Sequence, residues 1–188
     1  LITKRQKYQN NKNVYSLLLQ YAAGFGKSNI IGWTALQLKD LRKDGNYIYD
    51  KVMLVVDRLQ LRDQLDSMLH NMNIQKGMFL EASDKKSFMT ALSSDKRVIV
   101  VNVQKFGTVK DILDDEVTTK LSKLRIAFLI DEIHRSNSGA QHEEMISVFD
   151  ELQSSFDNNK KYTTSAHKKN LIIGFTATPS DITLARFG

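Results

Sequence analysis

The 188-residue sequence has no cysteine, which excludes disulfides, thiolate chemistry and cysteine-ligated zinc. Proline occurs once, as Pro179. No apolar run approaches the roughly 20 residues that a bilayer-spanning helix needs. The longest runs, residues 52–56, 98–101 and 171–175, are strand-sized. No signal peptide is visible, because residues 1–12 are polar and basic with no apolar stretch behind them. Internal repeats are also lacking. These absences predict a cytoplasmic protein with no membrane partner. A Leu at position 1 gives the expectation that the chain is part of a longer protein.

What is present is a globular composition, 41% hydrophobic and 26% charged, in a length that suits one domain around one core. The net charge of +6, from 27 basic against 21 acidic residues, is compatible with a phosphate-rich partner but does not demand one.

Strand-like and helix-like segments alternate from Val14 onward. Residues 14–20 form a strand candidate leading into a glycine-containing loop. Ile30, Ile31, Ala35, Leu38 and Leu41 then recur at helical spacing, with Gly45-Asn46 as the expected stop. Residues 52–56, 98–101, 126–130 and 171–175 are continuous apolar runs, the pattern of strands buried on both faces. A shorter strand is expected at 78–80 and a helix at 85–92. Leu61, Leu65, Met68, Leu69 and Met72 mark one amphipathic helix, and Met145, Val148, Phe149, Leu152 and Phe156 another. The stretch 157–170 is polar and lysine-rich and reads as a flexible loop; residues 1–13 read as a basic lead-in. Alternation of this kind predicts a single α/β domain over 1–188, with a largely parallel central sheet and helices on both faces. Ligands of such sheets bind at the carboxyl ends of the strands.

Two motifs sit at that edge. The first is Tyr21-Ala22-Ala23-Gly24-Phe25-Gly26-Lys27-Ser28. Gly24 and Gly26 let the backbone, with Phe25 between them, wrap phosphate oxygens, and the helix beginning near Lys27 turns its positive end to the anion. Lys27 can reach the β- and γ-phosphates of ATP, and the Ser28 hydroxyl can ligate Mg2+. Tyr21 stands where the full Gly-x-x-x-x-Gly-Lys-Ser pattern has its first glycine. The second motif is Asp131-Glu132-Ile133-His134, directly after the apolar run 126–130. An aspartate at a strand end can hold Mg2+, and the adjacent glutamate can deprotonate an attacking water. Together the two motifs predict NTP hydrolysis on a RecA-like P-loop lobe, with Lys27 and Glu132 as catalytic residues. His134, His142, Glu143 and Glu144 lack zinc-protease spacing, so no transition-metal site is expected.

Asp131-Glu132-Ile133-His134, followed by Phe175-Thr176-Ala177-Thr178-Pro179, resembles superfamily 2 helicases and translocases. A closer resemblance is to the motor subunit of type I restriction enzymes. It is carried by residues 55–64 (Val-Val-Asp-Arg-Leu-Gln-Leu-Arg-Asp-Gln), by Val103-Gln104-Lys105-Phe106, by Asp131-Glu132-Ile133-His134-Arg135-Ser136 and by Gly174 through Pro179, ahead of Thr183, Phe187 and Gly188. Ile133 and Ala177 depart from that family's usual alanine and glycine; neither position supplies a phosphate or metal ligand. Type III restriction motors are similar too.

The resemblance implies several further roles. Gln9, with Gln6 as the alternative, would recognise adenine. His134, Arg135, Thr176 and Thr178 would couple hydrolysis to movement. Arg58, Gln64, Gln104 and Lys105 would track a nucleic-acid backbone, where basic and amide side chains pair with phosphates without reading sequence. Implied partners are duplex DNA, a second RecA-like lobe and a nuclease domain of the same polypeptide, and methyltransferase and specificity subunits. Because that family completes its site with an arginine from the second lobe, this chain alone is expected to bind nucleotide and to hydrolyse it barely. Lacking an Asp…Glu-x-Lys signature before Tyr21, it is not expected to cut DNA. Two other readings stay open: a lobe of another DNA or RNA helicase, and a nucleotide-binding switch without turnover.

Overall fold

Residues with unbroken apolar character make the centre of the sheet. In the computed structural model, which describes residues 16–22, 26–56, 63, 67, 79–102, 115–131 and 170–178, strands β4 (Lys51–Val56), β7 (Ile126–Asp131) and β8 (Leu171–Thr176) are buried along their whole length. Around them lie β1 (Ser16–Gln20), β5 (Phe79–Ala82) and β6 (Val98–Asn102). The six strands run in the order β1-β8-β7-β4-β6-β5, and every neighbouring pair is parallel.

Strand periodicity sorts the side chains into two cores. Met53, Val55, Ile99, Val101, Phe128 and Ile130 face one side, where they pack with Phe88, Ala91 and Leu92 of α2 (Lys85–Ser93) and with Val117 and Leu121 of α3 (Asp115–Lys123). Val52, Leu54, Val56, Val100, Leu129, Ile173 and Phe175 face the other, against Ile31, Ala35 and Leu38 of α1 (Lys27–Asp40). Helices therefore cover both faces, as the alternating sequence predicts. By the same alternation Asp131, two residues past Leu129, falls on the α1 face.

Three boundaries differ from the sequence reading. Helix α1 ends at Asp40, where extended Leu41 donates its N–H to the Leu38 carbonyl. Gly45-Asn46 is not its stop. Asp44 and Gly45, at φ 51° and 80°, instead turn a small hairpin between β2 (Arg42–Lys43) and β3 (Asn46–Tyr47). Positive φ at both central positions is what a two-residue hairpin of right-handed twist requires, and Asp-Gly supplies it cheaply. The strand expected at 78–80 runs instead from Phe79 to Ala82. Helix α3 has no counterpart in the sequence reading.

Helix α2 starts with a reciprocal cap: the Ser87 N–H donates to Asp84 Oδ1 at 2.7 Å, and the Asp84 N–H donates to Ser87 Oγ at 3.0 Å. The Ser87 backbone N–H, then its hydroxyl, hold the Asp84 carboxyl below its ordinary pKa. The lead-in 1–13, the helix of Met145 to Phe156 and the polar stretch up to residue 169 lie outside the described residues. Of the helix expected over Leu61 to Met72, Asp63 and Ser67 are described and helical, with Ser67 Oγ donating to the Asp63 carbonyl at 2.7 Å. Among the described residues, no helix is long and apolar enough to cross a membrane.

Candidate nucleotide-binding site

All six strands point the same way, so their carboxyl ends form one edge. Register fixes what stands there: Gln20 of β1 lies beside Thr176 of β8, and Phe175 of β8 lies beside Asp131 of β7. The Tyr21 N–H carries the β1–β8 pairing one step further by donating to the Thr176 carbonyl at 2.9 Å. Gln20 Nε2 donates to the Ala177 carbonyl at 3.5 Å. The start of the phosphate loop and the Thr176-Ala177-Thr178 segment are thus adjacent.

Gly26 caps α1 at φ 73°, ψ 27°, in the left-handed region, and its carbonyl accepts from the N–H groups of Asn29 and Ile30. A side chain there would be strained whatever the free space, because left-handed backbone brings Cβ against the following carbonyl. The glycine turns the chain so that Lys27 and Ser28 occupy the first turn of α1, the positive end of the helix dipole.

Helix α1 packs over β4 and β7, so Lys27 in its first turn stands near the end of β7. Its ammonium lies 3.1 Å from Asp131 Oδ1, with the side chains 15% and 10% exposed. The sheet order makes this possible, since β8 separates β1 from β7 and α1 lies over the same face as Asp131. Thr176 is fully buried at the end of β8 and Thr178 is exposed just beyond it.

Of the residues singled out from sequence, the structure brings together Gly26, Lys27, Ser28, Asp131, Thr176 and Thr178 at one edge. Gln9, Gly24, Phe25, Glu132, His134, Arg135, Arg58, Gln64, Gln104 and Lys105 lie outside the described residues. Strands β4 and β6 do end at this edge, at Val56 and Asn102, shortly before Arg58 and Gln104 in the chain. Sequence reasoning missed Gln20, whose only signal is its place as the last residue before the loop.

The arrangement suits a nucleoside triphosphate with its magnesium. A left-handed glycine opens a helix N-terminus toward an anion, and an ammonium and a carboxylate, held together on one face, supply a phosphate partner and a hard oxygen ligand.

A family model described as SWI2/SNF2 ATPase matches residues 4–186. No curated protein matches the chain. Among solved structures, it is similar to the UvsW helicase of bacteriophage T4, with a TM-score of 0.52 and 15% identity over 98% of this chain and 57% of that one. The Hef helicase domain of Pyrococcus furiosus gives a TM-score of 0.52 and 17% identity over 98% of this chain and 34% of that one. The chain therefore spans about half or less of those proteins and shares their fold. With a family match over nearly its whole length, and a helix-capping glycine, lysine and aspartate gathered at the carboxyl edge of a parallel sheet, the chain belongs to the SWI2/SNF2 ATPase family.

Proposed function

We propose that the chain is the ATP-binding first motor lobe of a duplex-DNA translocase, nearest in kind to the motor subunit of type I restriction enzymes. The observation that carries the nucleotide reading is the approach of Lys27 to Asp131 at the end of β7, from the N-terminus of the glycine-capped helix α1. Lys27 would bind the β- and γ-phosphates, Ser28 and Asp131 would hold Mg2+, and Glu132 would accept the proton of the attacking water. Bound Mg2+ would neutralise charge developing on the phosphates. Thr176 and Ala177 accept the Tyr21 and Gln20 contacts at the start of the loop, so the segment they share with Thr178 is suited to relay a change at the phosphates. Support for the restriction-motor reading comes from the phrases at 55–64, 103–106, 131–136 and 174–179. Duplex DNA, a second lobe, a nuclease domain, and methyltransferase and specificity subunits are the partners this reading entails.

A second reading is a lobe of another DNA or RNA helicase, favoured by the similarity to UvsW and Hef, both described as helicases. Titration of a fluorescent ATP analogue tests nucleotide binding; Lys27→Ala should abolish it, and binding that persists would dismiss the phosphate-loop assignment. In the longer protein, duplex DNA should stimulate ATP hydrolysis without strand separation. Stimulation by single strands or RNA alone would overturn the translocase reading in favour of the helicase one.

A further inference from the structure

Helix α1 lies on the sheet along one apolar stripe, Ile31, Ala35 and Leu38. Such packing holds a helix against its sheet but is non-directional, so it resists sliding along the axis less than hydrogen bonds do. A directional restraint stands at the far end of the helix. Arg97, half-buried just before β6, donates from Nε to the Lys39 carbonyl in the last turn of α1 at 3.0 Å. Its Nη2 donates to the Tyr49 carbonyl, shortly before β4. The guanidinium rests over the Tyr47 ring of β3, 3.5 Å from the centroid, and Arg42 of β2 lies over the same ring at 4.0 Å. Arg97 is itself fixed to the sheet, because the Val52 N–H of β4 donates to its carbonyl at 2.7 Å. The group thus satisfies a carbonyl that a helix end leaves open and sets a positive charge at the negative end of the helix dipole.

We propose that Arg97 is a positioning residue for the nucleotide site: it clamps the last turn of α1 to the amino end of the sheet and so sets where the first turn, with Lys27 and Ser28, stands. This rests on the nucleotide-site reading above and adds to it a residue at the opposite end of the sheet. Twelve residues at about 1.5 Å each put Lys39 about 18 Å from Lys27 along the axis. The backbone hydrogen bonds of a helix run along that axis, so an axial slip at Lys39 reappears at Lys27 nearly undiminished. Hydrogen bonds from the first turn to phosphate oxygens keep their strength only within a window of about half an ångström. A slip of that size is enough to weaken them. Removing the guanidinium should leave α1 helical and packed while its first turn shifts.

The test uses the whole chain as wild type, Arg97→Met and Asp84→Ala, the last a destabilising change at the start of α2, on the opposite face of the sheet from α1. Circular dichroism and urea midpoints establish that each is folded at the assay temperature. A fluorescent ATP analogue should bind Arg97→Met about fivefold more weakly than wild type, the loss expected for about one phosphate hydrogen bond. Asp84→Ala should bind it as tightly as wild type. Arg97→Lys keeps the charge but not the fork; it stands in if Arg97→Met fails to fold, with a loss of about twofold. Equal binding by wild type and the Arg97 variant, or an equal loss in Asp84→Ala, would overturn the proposal. Amide NMR spectra supply the second readout. In the Arg97 variant the resonances of Ser28, Asn29 and Ile30 should move, although they lie about three helical turns from the clamped carbonyl; in Asp84→Ala they should stay. If they keep their positions in the Arg97 variant, the proposal falls whatever the affinity. A wild type that binds no analogue would instead refute the nucleotide-site reading, while the spectra still decide whether Arg97 positions the first turn.

Discussion

Replacing Lys51 by methionine should destabilise the chain by about 2–3 kcal/mol, although Lys51 lies at the far end of the sheet from the nucleotide. Lys51 opens β4 yet is only 5% exposed. Its ammonium donates to the carbonyls of Ala91 at 3.2 Å, Ser94 at 2.7 Å and Lys96 at 2.6 Å, the last turn of α2 and the link into β6. Methionine keeps the apolar stem and removes only the donor. The Ala91 carbonyl retains acceptable company, since it also accepts from the Ser94 N–H and hydroxyl. Ser94 and Lys96 lose a charge-assisted bond, each worth about 1.5–3 kcal/mol. Against this stands the cost of burying the ammonium, which, ahead of repulsion from Arg97, pushes the Lys51 pKa below its ordinary 10.5. The net of about 2–3 kcal/mol, with a urea m-value of about 2 kcal/mol/M, lowers the unfolding midpoint by about 1–1.5 M. The pH dependence supplies a second reading of the same variant. A folded pKa below the unfolded one means that the unfolded chain binds more protons between the two values. Wild type should then gain stability relative to Lys51→Met as pH rises through the lowered value toward 10.5. A midpoint shift under about 0.3 M would refute the reasoning, because the carbonyls would have other partners of equal worth.

Gly26→Ala should cost about 1–2 kcal/mol in urea unfolding, the left-handed penalty at φ 73°, and should weaken nucleotide binding as well; an unchanged midpoint would mean that the turn relaxes freely. Asp84→Ala should lower stability at neutral pH. Since the folded carboxyl titrates below its ordinary 3.8, the difference from wild type should fade as pH falls from 3.8 through the lower folded value, and a gap that persists at still lower pH would contradict the cap as its source. Glu132→Gln in the longer protein should retain ATP and stop hydrolysis, as measured by filter binding and phosphate release; loss of binding would give Glu132 a different role.

Burial explains which elements could be read from the sequence. Strands β4, β7 and β8 are covered on both faces, so nearly every residue is apolar and the run announces itself. Helix α3 is nine residues long, and its sequence Asp-Glu-Val-Thr-Thr-Lys-Leu-Ser-Lys offers Val117 and Leu121, both in the core, one turn apart among polar neighbours, too short a pattern to show a period. Asp44-Gly45 did carry a turn signal, but its strands are two residues each, so the glycine is easily taken for a helix stop. Lys27 and Asp131 stood out in the sequence as candidate ligands because each sits directly beside a recognisable strand or loop. Their contact with one another did not, since it depends on β8 lying between β1 and β7, and strand order is not written in local sequence. Lys51 was illegible for a related reason. A lysine at a strand start reads as solvated, and its partners are backbone carbonyls 40, 43 and 45 residues away, which any side chains could carry.

The two ends of the sheet are built for different work. At the amino end, polar cross-links join one strand start to the next. Asn170, just before β8, accepts from the Ile126 N–H of β7 through Oδ1 at 2.9 Å. Arg125, just before β7, is paired bidentately with Asp50, just before β4, at 3.0 and 3.2 Å, and that bond raises the guanidinium pKa. Lys51 then binds the α2–β6 link, and Arg97, at the start of β6, donates to the carbonyls of Lys39 in the last turn of α1 and of Tyr49. The chain of contacts passes through β8, β7, β4 and β6 and reaches back to α1, the helix whose other end begins with Lys27. Charge-assisted and bidentate bonds of this kind fix orientation as well as spacing. At the carboxyl end the same strands finish in the phosphate-loop helix, Asp131 and Thr176. The proposed motor role would use that asymmetry: if the strands could slide at the amino end, a shift at Lys27 would be absorbed within the sheet. Held there, the displacement has to appear at the carboxyl edge, where Tyr21 and Gln20 already join the loop to the Thr176-Ala177-Thr178 segment.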